Sequence, residues 1–132
     1  MNLENILAVS GFSGLYRLVT TRSNGLIIED FDTGKRNFIS LRKHQFTPLE
    51  SVGIYTYGDV VGLGEIFQTI QAQEQPPPDA SIAPQDMHAY FRTILPEYDE
   101  DRVYLSDIKK LIKWYEFLSQ RNLITAISDE EE

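Results

Sequence analysis

Residues 14–31 read Gly14-Leu15-Tyr16-Arg17-Leu18-Val19-Thr20, Thr21-Arg22-Ser23, then Asn24-Gly25-Leu26-Ile27-Ile28-Glu29-Asp30-Phe31. Two runs rich in β-branched and aromatic residues flank an Asn-Gly pair. That pair is the strongest short-range hairpin signal, because both central positions of a type I′ turn need φ > 0. Working outward, Asp32-Thr33-Gly34-Lys35 is a second turn, with a glycine free to take the left-handed conformation. Residues 37–41 give a third strand, residues 51–57 a fourth, and residues 6–9 an additional strand at the start. Four or five short strands joined by tight turns make a meander, and a sheet this small buries its apolar face by curling into a barrel. Leu63, Ile66, Phe67 and Ile70 then fall at i, i+3, i+4 and i+7. This is one helical stripe, and it predicts a short helix over 63–72 that plugs an end or face of the barrel.

The pattern changes at residues 71–84, QAQEQPPPDASIAP. Pro76, Pro77 and Pro78 forbid helix and favour extended polyproline II, which makes this a semi-rigid linker. The triplet holds no P-x-x-P spacing of the kind SH3-type or WW-type grooves take. Beyond it the period is helical. Met87, Tyr90, Phe91 and Ile94 form a stripe that stops before Pro96, and Ile108, Leu111, Ile112, Tyr115 and Leu118 form another. Ser106 and Asp107 are candidate caps for the second helix. The predicted fold is therefore α+β. A small SH3-like antiparallel β-barrel with a short helix occupies 1–72, a Pro-rich linker 73–84, a C-terminal helical hairpin (helix-loop-helix) 85–124, and an acidic tail 125–132. Two helices in about 40 residues bury little core alone, so they must also pack on something else.

Composition narrows the function. The 132 residues include 42% hydrophobic side chains, enough for a packed core. Zero cysteines exclude disulfides, thiolate zinc sites and cysteine nucleophiles. Twelve Lys and Arg against twenty Asp and Glu give a net charge of −8, which argues against a general nucleic-acid binder. Glu4 stands where a signal peptide would carry Lys or Arg, and no apolar run approaches the roughly 20 residues that cross a bilayer. A cytoplasmic location, with no membrane contact, is the expectation.

Three stretches carry a family resemblance: residues 6–36, ILAVSGFSGLYRLVTTRSNGLIIEDFDTGKR; residues 50–57, ESVGIYTY; and residues 95–118, LPEYDEDRVYLSDIKKLIKWYEFL. Together they resemble an uncharacterised family common in Bacteroidota, a domain of unknown function followed by a small helical partner domain. Phe12-Ser13 departs from the Lys-Pro usual at that point of the family pattern. The resemblance implies a bacterial protein of two parts, and it implies no substrate, cofactor or catalytic residue.

Candidate chemistry is sparse. His44 and His88 lie in no H-x-x-H or H-E-x-x-H spacing, so no metal site is expected. No G-x-S-x-G motif is present. Gly62-Leu63-Gly64 reads as a strand-to-helix turn rather than an anion cradle. Asp99, Glu100, Asp101 and Asp107 fail the calcium-loop spacing, because Val103 and Tyr104 fall where a ligand and a glycine are needed. With no acid–base–nucleophile set, the chain is expected to be neither an enzyme nor a cofactor carrier. Aromatic density points instead to interaction. Trp114 and Phe117 lie with Lys110 at the edge of the last helix's apolar stripe, and they form the candidate surface for a protein partner or a second copy. Arg17, Arg22, Lys35, Arg36, Arg42 and Lys43, gathered at turns of the barrel, form an alternative surface for nucleic acid or a ribosomal partner.

Overall fold

The computed structural model describes residues 3–121 and 123. The expected acidic tail, 125–132, lies outside the described residues, as does residue 124. The described chain divides into two compact units, residues 3–52 and residues 53 onward.

The first unit is one antiparallel sheet of five strands: β1 (Ile6–Val9), β2 (Tyr16–Arg22), β3 (Gly25–Asp30), β4 (Arg36–Ser40) and β5 (Phe46–Pro48), in the order β4-β3-β2-β1-β5. Alternation puts Leu7, Val9, Leu26, Ile28 and Ile39 on a single face, where they form a core with Phe12, Tyr16, Leu18 and Phe46 packed against it. Leu18 faces Ile28 while Thr20 faces Ile27, so Val19 is the extra residue of a β-bulge. The bulge resets the alternation and bends β2.

Three expectations for this unit are corrected. The barrel does not close, because β4 and β5 remain unpaired edges. β5 has three residues and ends in Pro48, which has no N–H to continue a ladder. The sheet is nevertheless strongly curled. Four strand spacings of about 4.8 Å separate its edges when flat, roughly 19 Å, whereas the connection from Ser40 to Phe46 is shortened by a turn in which the Lys43 and His44 N–H groups donate to the Ser40 carbonyl. Secondly, the strand expected at 51–57 is not in this sheet, and Phe46–Pro48 takes its place beside β1. Thirdly, the hairpin loop is Ser23-Asn24, not Asn24-Gly25. Arg22 pairs with Gly25, and neither Asn24 nor Gly25 has positive φ. Gly25 is required for space. A Cβ there would lie 2.3 Å from the Ile39 carbonyl oxygen and 2.6 Å from the Phe38 ring, which covers the glycine.

The second unit begins with a two-stranded antiparallel ribbon, β6 (Gly53–Ile54) and β7 (Val61–Gly62). Helices α1 (Leu63–Gln71), α2 (Pro84–Ile94) and α3 (Leu105–Gln120) follow. The predicted stripes are buried, with Leu63, Ile66, Phe67 and Ile70 on α1, Met87, Phe91 and Ile94 on α2, and Ile108, Leu111, Ile112, Tyr115 and Leu118 on α3; Tyr90, expected in the α2 stripe, is only half-buried. Helix α1 packs on β7 and α2, and α2 packs on α3. Phe67 of α1 meets Tyr115 of α3 edge-to-face at 5.6 Å. The division of the chain at 52/53 therefore differs from the expected 73–84 boundary, because α1 shares its apolar stripe with α2 and α3. Pro84, placed in the linker by its composition, is the first residue of α2, where its missing N–H costs nothing. Helix α3 begins at Leu105, one residue before the expected caps. Asp107 still caps it, since its Oδ2 accepts the Tyr104 N–H at 3.0 Å.

Candidate interaction surface

The second unit exposes several large apolar side chains on one short segment. The loop joining β6 to β7, residues 55–60, is held at its base by the loop between α2 and α3. Thr56 bridges to Tyr98, the Asp99 N–H donates to the Tyr55 carbonyl at 2.9 Å, and the Tyr57 N–H donates to the Glu97 carbonyl at 3.0 Å. Alternation then follows from the extended backbone. Thr56 points inward and is buried, and its hydroxyl accepts the Gly58 N–H at 3.0 Å. Tyr55 and Tyr57 point outward. Tyr57 is 66% exposed, Val60 58% and Tyr104, before α3, 66%. The Arg102 guanidinium stacks 4.4 Å from the centre of the Tyr55 ring, holding that ring half out of the surface.

Two carboxylates of the acidic loop are taken up by groups of the same unit. Asp99 Oδ2 accepts the Arg102 Nε–H at 2.9 Å, and Asp99 Oδ1 accepts the Asp101 N–H at 3.0 Å. These bonds, the Arg102 one foremost, hold the Asp99 carboxyl below the usual range. Glu100 pairs with Arg92. Among the described residues no cluster of His, Asp and Glu is arranged to hold a metal. Beneath the loop Tyr98 is buried. Its hydroxyl bonds His88 Nδ1 at 2.8 Å and its ring meets Phe91 edge-to-face at 5.0 Å. His44 is likewise structural, with Nδ1 3.0 Å from the Ser10 carbonyl oxygen and its ring edge-on to Phe12.

Of the surface expected on α3, Lys110 is exposed, while Trp114 and Phe117 are half-buried. The Arg121 guanidinium lies 3.6 Å from the centre of the Phe117 ring. The six basic residues of the sheet separate into groups. Arg17 and Arg36 flank Glu29 on the face opposite the core, with Arg36 Nε 3.5 Å from the Glu29 carboxylate and Arg17 over the Phe31 ring at 5.3 Å. Arg22, Arg42 and Lys43 lie toward the end of the sheet that carries the Ser23-Asn24 turn, and Lys35 lies at the other end. Phe38, 48% exposed on β4, and the exposed Leu41 are large apolar residues that sequence reasoning did not single out.

A cleft of about 420 Å³ is lined by Gln73, Glu74, Gln75, Tyr90 and Thr93. The Tyr90 hydroxyl is buried and has no partner among the described residues. Burial, and secondarily the neighbouring Tyr115, push it up to about 12.

Together these features define a two-unit α+β protein with exposed aromatic side chains on the second unit. The chain belongs to the family described as Domain of unknown function (DUF6852), whose family model matches residues 52–118, and a second, Domain of unknown function (DUF5606), matches residues 3–49. The junction of the two matches, between 49 and 52, falls within a few residues of the structural division at 52/53. A protein of Bacteroides vulgatus solved by solution NMR in a structural genomics programme is 33% identical, with a TM-score of 0.75 over 92% of this chain and 89% of its own. No curated protein matches the chain.

Proposed function

We propose that this chain is a non-enzymatic interaction or adaptor protein. The observation that carries the reading is the set of exposed side chains Tyr55, Tyr57 and Val60 on one short loop, with Tyr104 exposed in the same unit. Tyrosines offer large contact area at small entropic cost, and they are enriched where proteins meet. The half-buried Trp114 and Phe117, with Lys110, extend the apolar material available on α3. The partner is a protein, and the setting is the cytoplasm of a bacterium of the Bacteroidota. In this reading the curled sheet is a relative of SH3-like barrels, and α2 and α3 act as a helical hairpin.

A nucleic-acid role is the second reading. It is favoured by one fact: residues 3–52 hold six Lys and Arg against five Asp and Glu, while the rest of the chain is strongly acidic. Glu29 between Arg17 and Arg36 weakens that surface for phosphate. Affinity capture from the native cell with mass spectrometry, with and without nuclease, separates the two. Nuclease-resistant capture that a Tyr57→Ala/Tyr104→Ala variant of unchanged melting temperature loses supports a protein partner. Capture abolished by nuclease, or by Arg17→Ala/Arg36→Ala alone, supports nucleic acid.

A further inference from the structure

The two edges of the five-stranded sheet are built differently. β5 is three residues long and ends in Pro48, two of the devices that stop a foreign strand from adding. β4 has no proline, glycine or bulge. Its one charge, Arg36, is drawn back over its own sheet by Glu29, and its central residue, Phe38, is half in water.

The register shows which backbone groups this edge offers. The Asp30 N–H donates to the Lys35 carbonyl and the Leu41 N–H to the Asn24 carbonyl, so these two pairs bracket the β3–β4 ladder. Hydrogen-bonded and non-bonded pairs alternate in an antiparallel ladder. Asn37 and Ile39 therefore bond to β3, and Arg36, Phe38 and Ser40 direct their N–H and C=O groups to the free edge. The Ser40 carbonyl is taken, accepting the Lys43 and His44 N–H groups at 3.2 and 3.1 Å.

We propose that β4 pairs with β4 of a second copy of this chain, antiparallel, about a two-fold axis at Phe38. This edge belongs to the first unit, and the tyrosine cluster to the second. The register makes Phe38 face Phe38 of the other copy as a hydrogen-bonded pair, and it sets each Arg36 opposite a Ser40. Each Phe38 donates to and accepts from its counterpart, and each Ser40 N–H donates to an Arg36 carbonyl. None of these bonds needs the occupied Ser40 carbonyl. On the outer face the two Phe38 rings join the Ile27 side chains into one apolar band across both sheets. Moving the axis to Arg36 opposes two arginines, and moving it to Ser40 sets Phe38 against Arg42. An axis at Asn37 sets each Phe38 against an Arg36, and one at Ile39 sets each Arg36 against an Arg42. Only the axis at Phe38 brings the two apolar rings together without opposing like charges.

Light scattering of the full chain from about 10 µM to about 1 mM tests this. The expected result is a mass rising to twice that of one chain, while Phe38→Lys stays at one-chain mass with its melting transition retained. The chain has no cysteine, so a single Phe38→Cys should form an oxidised dimer, since directly paired strand positions lie within disulfide reach. Thr33→Cys, in the exposed turn between β3 and β4, should cross-link at least about tenfold more slowly. If Phe38→Lys fails to fold, the cysteine pair decides. A wild type that stays at one-chain mass leaves this edge to a strand of some other protein and overturns the proposal. A dimeric Phe38→Lys, or equal cross-linking at 33 and 38, overturns it as well.

Discussion

The Tyr90 hydroxyl is shut from water with no partner among the described residues. Such a group loses its bonds to water and gains none, so deleting it costs little. Tyr90→Phe is expected to raise stability by about 1 kcal/mol at neutral pH. Because the folded value, about 12, stands above the ordinary 10.0, this hydroxyl's contribution is whole below pH 10 and is lost as pH rises through the folded value. Burial raises Tyr98 and Tyr115 in the same direction. Thermal melts followed by circular dichroism at pH 7 and pH 11 should show Tyr90→Phe with the shallower alkaline decline. A variant less stable at both would mean that the hydroxyl is satisfied. Asp99 has the opposite sign. Its carboxyl, held below the ordinary 3.8 chiefly by Arg102, contributes stability above that value and loses it as pH falls through the depressed one. Asp99→Asn should therefore melt below the wild type at pH 7, with the gap narrowing toward pH 2, and a gap independent of pH would exclude the ion pair as its source. The sequence shows that aromatic side chains are abundant, but not which of them are bare. Tyr57 and Tyr115 look alike by type, and only the alternation imposed by the Thr56–Tyr98 bridge turns the first outward.

At the level of strands and helices, the residue under Phe38 is the sensitive one. Gly25→Ala drives a methyl into the Ile39 carbonyl, where backbone must move, and is expected to cost about 1–3 kcal/mol or more. Guanidinium denaturation at equilibrium measures it, and a loss below about 0.5 kcal/mol would show that β3 and β4 separate freely at that end. Phe67→Ala removes the fully buried ring that meets Tyr115, with an expected loss of about 3–5 kcal/mol. The helical stripes were legible because 3.6-residue periodicity is a local property, and each predicted apolar set is buried except for the half-buried Tyr90. The sheet was only partly legible. Strand identity follows from composition, but the partner of β1 is set by a long-range pairing with Phe46–Pro48, three residues that carry no strand signal of their own. Asn24-Gly25 misled for a related reason. The dipeptide suits a type I′ turn, yet here the glycine is demanded by a ring crossing over it from β4, which no local pattern records.

For the whole chain, the Pro-rich segment and the division at 52/53 make distinct predictions. Residues 73–76 are exposed and outside regular structure, so limited proteolysis should cut there. Because α1 packs with α2 and meets α3 through Phe67, the nicked halves should stay associated in native buffer and separate only in denaturant. Separation in buffer alone would restore 73–84 as a true boundary. Composition placed that boundary where prolines gather, but the helix before the prolines is bound to the helices after them by apolar faces. The division has an optical consequence. Trp114 and six of the seven tyrosines belong to residues 53 onward, leaving Tyr16 as the only strong near-ultraviolet absorber in the sheet unit. Indole emission and absorbance at 280 nm thus report almost entirely on one half of the protein. An unfolding curve drawn from them would pass smoothly through the melting of the other half without registering it.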